Sequence, residues 1–69
     1  MSAIQKIQFF RDIVDTNSYK EHDNMIVDLF TASIVVQIHD ALNDENREKL
    51  LSLSIEEICF FSLQLANNL

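Results

Sequence analysis

The sequence predicts an all-α protein, a small bundle of three to four helices that forms a homodimer. Glycine and proline are both absent, so no proline interrupts a helix and tight hairpin turns lack the residue that best fills positive-φ positions. Apolar residues recur at helical spacing, and Ser, Asp and Asn stand where helices would begin. The hydrophobic fraction is 48%, well above that of a disordered chain. We expect a single helical domain over residues 1–69.

The first helix is predicted over residues 2–15, with Ser2 as its N-cap. Its apolar stripe has helical spacing and comprises Ala3, Ile7, Phe10 and Val14, flanked by Ile4, Phe9 and Ile13. The helix is expected to end at residues 15–18, because Asp, Thr, Asn and Ser compete for backbone hydrogen bonds.

The second helix is predicted to begin near Tyr19, because Ser18 and Glu21 match a capping box. An alternative start at Asp23 and Asn24 would leave residues 16–24 as a loop. In either case the helix runs to about Leu42. Residues 25–38 are apolar around nearly the whole circumference, so this helix must be buried on several sides.

Two shorter helices are predicted to follow. Asn43 is a suitable cap for the third helix, which ends near Leu51 or Leu53. Ser54 and Glu57 form the clearest capping box of the chain, and the fourth helix then covers residues 55 to about 66.

The second and fourth helices both carry apolar residues on almost every side, which favours a homodimer. A chain this short buries only about 60% of the surface that its unfolded form exposes, so one helix can be central but hardly two. A second copy would cover the excess. The predicted oligomer interface comprises Phe30, Ile34, Val35, Ile38, Phe60, Phe61 and Leu65. The alternative is a tightly packed monomer.

The net charge of −6 argues against direct binding of nucleic acid, which needs clustered Lys and Arg, and against docking on an anionic membrane. It fits a partner protein with a basic surface. The predicted protein-binding face is an acidic segment that comprises Asp40, Asp44, Glu45 and Glu48. The alternative interpretation is a solvated helix face.

The sequence contains no coherent catalytic or metal-binding pattern, so we expect a protein without enzymatic activity, cofactor or metal. His22 and His39 are each followed by an aspartate, and neighbours on a helix point about 100° apart. His39 with Asn43 would be a weak ligand set for a metal. Cys59 lies among apolar residues, so we expect its thiol to be buried and inert. We expect no signal peptide and a cytoplasmic location.

One segment, FTASIVVQIHDALNDENREKLL from Phe30 onward, resembles the C-terminal half of small proteins of tailed bacteriophages. In its size, its acidity and its lack of glycine and proline, the chain also resembles phage early proteins that disarm host defences. The resemblance covers roughly residues 30–53 as a helix–cap–helix unit, and the family includes the OrbA-type inhibitors of the BREX defence system. It implies a homodimeric inhibitor that binds a host protein, the BREX ATPase component BrxC, in the host cytoplasm.

The leading functional hypothesis is therefore a phage-type anti-defence inhibitor that acts by stoichiometric protein–protein binding as a homodimer. One alternative is an acidic DNA mimic that blocks a nucleic-acid-binding enzyme, although −6 is a small charge for a mimic of an extended duplex. Another alternative is a small regulatory or structural subunit of a larger assembly.

Overall fold

A computed structural model of the chain describes residues 1–68, which form four helices and one two-stranded hairpin. In chain order the elements are α1 Ala3–Thr16, β1 Lys20–His22, β2 Met25–Val27, α2 Leu29–Ala41, α3 Asp44–Leu51 and α4 Ile55–Asn67. The predicted bundle of helices is confirmed, but the fold is not purely α-helical. The hairpin between α1 and α2 was not predicted.

Local hydrogen bonds at the two ends of α1 explain where this helix begins and ends. The Ser2 side chain accepts a hydrogen bond from the backbone N–H of Gln5, and the Gln5 side chain accepts one from the Ser2 backbone N–H. These two bonds satisfy two of the N–H groups that a helix start leaves without partners. At the other end, Asn17 adopts a left-handed conformation, with φ 52°, and the backbone N–H of Ser18 donates to the Ile13 carbonyl. This arrangement closes the helix.

The predicted start of the second helix near Tyr19 is wrong, because residues 20–27 form a hairpin instead. The Ser18 hydroxyl bonds to the Thr16 hydroxyl at 2.6 Å, so it does not cap a helix with Glu21. Outward-facing and inward-facing residues alternate along both strands, as they do in a half-buried hairpin. α2 begins only at Leu29, where the Asp28 side chain accepts from the Thr31 backbone N–H at 2.8 Å.

The hairpin turns through Asp23 and Asn24 without any glycine. His22 pairs with Met25, so the turn has two central residues, and their φ angles are 49° and 66°. Positive φ at both central positions is typical of the type I′ turn, which matches the twist of the strands. Asp and Asn tolerate this conformation better than other residues with a Cβ, because their side chains can bond locally.

The turn gives a direct stability test. We expect Asn24→Val to lower the free energy of unfolding by about 1–2 kcal/mol, because a β-branched residue clashes in the left-handed region. Asn24→Gly is the control, since glycine adopts the same φ without that cost. Urea denaturation measures both variants, and equal midpoints for the two would contradict this account of the turn.

The caps of the last two helices are confirmed. The Asn43 side chain accepts from the Asn46 backbone N–H at 2.9 Å. Ser54 and Glu57 form the predicted reciprocal capping box, with both hydrogen bonds at 3.1 Å. Each bond satisfies a backbone donor at a helix start.

α2 lies between α1 and α4, and α3 packs against α1. The core draws on every helix and on the hairpin, and its fully buried side chains include Phe10, Ile13, Val27, Ala32, Val35 and Ile58. The Lys6 ammonium joins α1 to the end of α3, where it donates to the carbonyls of Leu51 at 3.1 Å and Leu53 at 2.8 Å. A cation suits this position, since the carbonyls at a helix C-terminus carry partial negative charge. This contact fixes the turn between α3 and α4.

Candidate protein-binding surface

The acidic segment predicted from the sequence separates into two parts in the structure. Asp40 lies in the last turn of α2 and is held by other side chains. Its carboxylate accepts two hydrogen bonds from the Arg11 guanidinium, at 2.6 and 3.3 Å, and lies 2.9 Å from Nδ1 of His39. Because α1 and α2 are joined through this carboxylate, Asp40 is less available to a partner than the other three acids.

The Asp40–Arg11 ion pair predicts a specific response to acid. Arg11, and then His39, lower the pKa of Asp40 to about 2 from the ordinary 3.8. A carboxylate whose pKa is depressed by folding stabilises the folded state above its unfolded pKa, and this contribution disappears as the pH falls from about 4 towards 2. Both side chains are more than one-third exposed, so we expect a coupling of only about 0.2–1 kcal/mol at neutral pH.

A double-mutant cycle with Arg11→Gln and Asp40→Asn measures this coupling through the free energy of unfolding. We expect the coupling at neutral pH and its decline at acid pH. A coupling that stays the same after Asp40 is protonated would contradict the assignment.

The other three predicted acids, Asp44, Glu45 and Glu48, share one side of α3, and we call them the acidic face. Asp44 and Glu48 are one turn apart, and Glu45 lies beside them. Arg47 approaches Asp44 at 3.5 Å and Lys49 approaches Glu45 at 3.7 Å. The Asp44 side chain nevertheless remains 99% exposed and that of Glu45 77% exposed. Surface pairs this long are weak, so the acidic face retains charge that a partner can meet.

The residues of the predicted oligomer interface differ in their exposure on the single chain, and one of them is fully buried. Val35 has no exposed surface, because it points into the core between the helices, so it cannot meet another molecule. Ile34 and Ile38 are half-buried. Phe30 is 68% exposed, Phe60 65% and Phe61 43%, and Leu65 is exposed as well. The single chain thus covers one side of α2 and leaves large apolar side chains on α2 and α4 uncovered.

An apolar groove of about 580 Å³ lies between α3 and α4. We call it the α3–α4 groove, and its apolar walls are Leu42, Leu50, Leu53, Phe61 and Leu65. Asn46 and Lys49 lie at its α3 rim, on the same short helix as the acidic face. Phe61 and Leu65 of α4 were predicted as interface residues, whereas Leu42, Leu50 and Leu53 were not. Those leucines sit at the ends of helices, where a periodic stripe gives little signal.

A second apolar surface lies on the other flank of α4. Ile26 of the hairpin and Phe60 of α4 line one depression together with Met25 and Leu63, and we call this surface the hairpin patch. Ile26 is 64% exposed. Ile26 was predicted to lie inside a buried helix. The alternation of exposed and buried residues along a strand could have identified it, but three-residue strands are too short to show that pattern in sequence.

Cys59, the candidate nucleophile, lines the depression of the hairpin patch, and the candidate metal ligands His22 and His39 are not among its lining residues. Burial raises the pKa of the Cys59 thiol to about 11, so the thiol is protonated at neutral pH and poorly nucleophilic. His22 lies 3.3 Å from Asp23 and packs edge-on against Phe9, with ring centroids 5.7 Å apart. His39 contacts Asp40. Across residues 1–68, no group of three or more His, Cys, Asp or Glu side chains is arranged to hold a metal ion.

None of the helices within the described part of the chain combines the length and the apolar character needed to cross a membrane. No protein-family model matches the chain, and no curated protein or solved structure shows significant similarity to it.

Proposed function

We propose that this protein is a non-catalytic inhibitor that binds another protein stoichiometrically, as a homodimer, in the manner of phage anti-defence proteins. The observation that carries the proposal is the exposure of large apolar side chains on three elements: Ile26 on the hairpin, Phe30 on α2 and Phe60 on α4 are each about two-thirds exposed. Fully burying one such side chain stabilises a complex by about 1.5–3 kcal/mol.

Loose packing does not account for this exposure. The radius of gyration is 11.0 Å, which equals the value of about 11 Å expected for a compact domain of this length. The chain therefore packs as tightly as an ordinary small domain and still leaves these side chains in solvent. Apolar patches of this kind mark sites of protein association.

The acidic face supports the choice of a basic host protein as the second partner. Its carboxylates lie on a solvent-exposed side of α3 and add to a net charge of −6. Such a surface speeds the encounter with a positively charged partner and repels acidic ones. By the resemblance of residues 30–53 to phage inhibitors of BREX, the proposed host target is the ATPase component BrxC.

The homodimer is tested by sedimentation. We expect the wild type to sediment at twice its 8.0 kDa chain mass at micromolar concentration, and Phe60→Asp to sediment as a monomer, because a charge in a closed interface is costly. Ile4→Asp is the matched control, since Ile4 is exposed but lies outside the predicted interface. A wild type that remains monomeric, or a control that dissociates as readily as Phe60→Asp, would refute the homodimer.

The inhibitory activity is tested in cells. We expect expression of the chain in a bacterium with an active BREX system to raise the plating efficiency of a BREX-sensitive phage. We expect the triple variant Asp44→Asn, Glu45→Gln, Glu48→Gln to lose that effect at equal expression. Glu21→Gln, which alters an exposed acid on the hairpin, is the control. Unchanged plating with abundant wild-type protein would count against the anti-defence role.

A further inference from the structure

Residues 43–49, which read NDENREK, include no apolar residue, and we call them the latch segment. They comprise the N-cap and the first six residues of α3. All of them are exposed except Arg47, which is half-buried. A helix as short as α3 is marginal by itself in water, and most helices of proteins are stabilised by the packing of an apolar face. The latch segment has no such face, so its helical form depends on other contacts.

The Arg47 guanidinium makes such a contact with the end of α2. Its Nε donates to the His39 carbonyl at 2.8 Å, and its Nη2 donates to the Asp40 carbonyl at 2.9 Å. The last carbonyls of a helix lack regular partners within it and carry partial negative charge, so a cation suits them. Hydrogen bonds from a charged donor are also stronger than those between neutral groups. Arg47 therefore ties the first turns of α3 to the last turn of α2.

The other end of α3 is anchored in a different way. Leu50 and Leu51 are buried in the core, and the Lys6 ammonium donates to the carbonyls of Leu51 and Leu53. This end is therefore held by apolar burial as well as by a cation, whereas the latch segment is tied down by Arg47 without apolar burial. Loss of the Arg47 contacts would release the latch segment while the buried leucines keep the end of α3 in place.

We propose that Arg47 is a latch that holds the acidic face in its helical arrangement, and that the latch segment opens by local unfolding while α1, α2 and α4 stay folded. In the closed state the three carboxylates of the acidic face share one side of α3, and in the open state they do not. Opening also withdraws Asn46 and Lys49 from the rim of the α3–α4 groove. A ligand that binds the helical arrangement would shift the chain towards the closed state. The latch belongs to the single chain, so this inference does not depend on the proposed function.

Amide hydrogen exchange of the intact wild-type chain, followed by NMR, detects the opening. We expect the amides of Arg47, Glu48 and Lys49 to have protection factors at least about a hundredfold lower than the best protected amides of α1 and α4. Low concentrations of urea should leave their exchange nearly unchanged, because a local opening exposes little surface, and should speed exchange in α1 and α4. Equal protection and equal urea dependence in all three helices would overturn the inference.

Arg47→Met tests whether the guanidinium is the latch, because methionine keeps an unbranched side chain with good helix propensity but donates no hydrogen bond. We expect the protection factors of the Glu48 and Lys49 amides to fall by a further factor of about ten, and those of α1 and α4 to change by no more than about twofold. Lys49→Met is the matched control, since it removes a cation of the same segment whose side chain is 72% exposed. We expect this control to change the protection of the Glu48 amide by no more than about twofold.

Three results with the variants would overturn the role of Arg47. Equal losses of protection in Arg47→Met and Lys49→Met would mean that the charge of the segment matters and the contact with α2 does not. A uniform loss of protection over all helices in Arg47→Met, or its complete unfolding, would make Arg47 a support of the whole fold. Unchanged protection in Arg47→Met would mean that other contacts hold the latch segment closed.

Discussion

Val35→Asp is expected to abolish the folded state of the single chain. Val35 has no exposed surface, and it lies on α2, the helix that packs against both α1 and α4. An unpaired carboxylate there loses its hydration without gaining a partner, which costs at least about 4 kcal/mol. A domain of this size has a total stability of about 3–10 kcal/mol. Far-ultraviolet circular dichroism and thermal unfolding measure the loss.

Phe30→Asp is the control for Val35→Asp, because it places the same charge on the same helix at a position that is 68% exposed. We expect this variant to keep its helical spectrum and a cooperative unfolding transition at concentrations where the chain is monomeric. If Val35→Asp folded as well as Phe30→Asp, the packing of α2 described above would be wrong.

Phe10→Ala is expected to give the largest loss of stability among substitutions that add no charge. The Phe10 ring is fully buried and meets the Phe9 ring edge-on, with centroids 5.3 Å apart. Removing a buried phenylalanine ring costs about 3–5 kcal/mol, because the lost transfer free energy is joined by the cost of the cavity. For a chain of this size that loss is close to the whole stability.

The matched control for Phe10→Ala is Ile4→Ala, which truncates an apolar residue of the same helix that is 79% exposed. We expect its free energy of unfolding to change by no more than about 0.5 kcal/mol. Urea denaturation followed by circular dichroism compares the two variants. Losses of similar size would mean that α1 buries a different face from the one described.

Local side-chain chemistry allowed three helix starts to be predicted from sequence. Ser2, Asn43 and Ser54 each accept a hydrogen bond from a backbone N–H near the start of their helix, and such bonds depend on a few adjacent residues. The hairpin could not be predicted in the same way. Its turn has Asp23 and Asn24 at positive φ, a conformation that glycine usually adopts, and no sign of such a turn is visible in the glycine-free sequence. Its strands are stabilised by tertiary contacts with α1, which local sequence does not encode.

The acidic residues of the candidate site could be predicted from the sequence, but the shape of its apolar surface could not. Asp44, Glu45 and Glu48 are spaced three and four residues apart or are neighbours, so their common face on α3 follows from helical geometry. Which apolar side chains stay exposed depends on how α2 and α4 are oriented around a shared core. Val35 and Phe30 lie on one helix and are equally apolar, yet one is buried and the other is exposed. The α3–α4 groove combines leucines from the end of α2, from α3, from the turn after α3 and from α4, and only the folded chain brings them together.

Because Cys59 is buried, the reactivity of its thiol can measure the local unfolding of α4. The chain contains one cysteine, and that thiol is covered by the core when α4 is docked. A thiol-specific dye is therefore expected to react mainly during the brief intervals in which α4 separates from the rest of the chain. The labelling rate, compared with that of the denatured chain, gives the free energy of that local opening. The same measurement, repeated with a partner present, would show whether binding holds the helix in place.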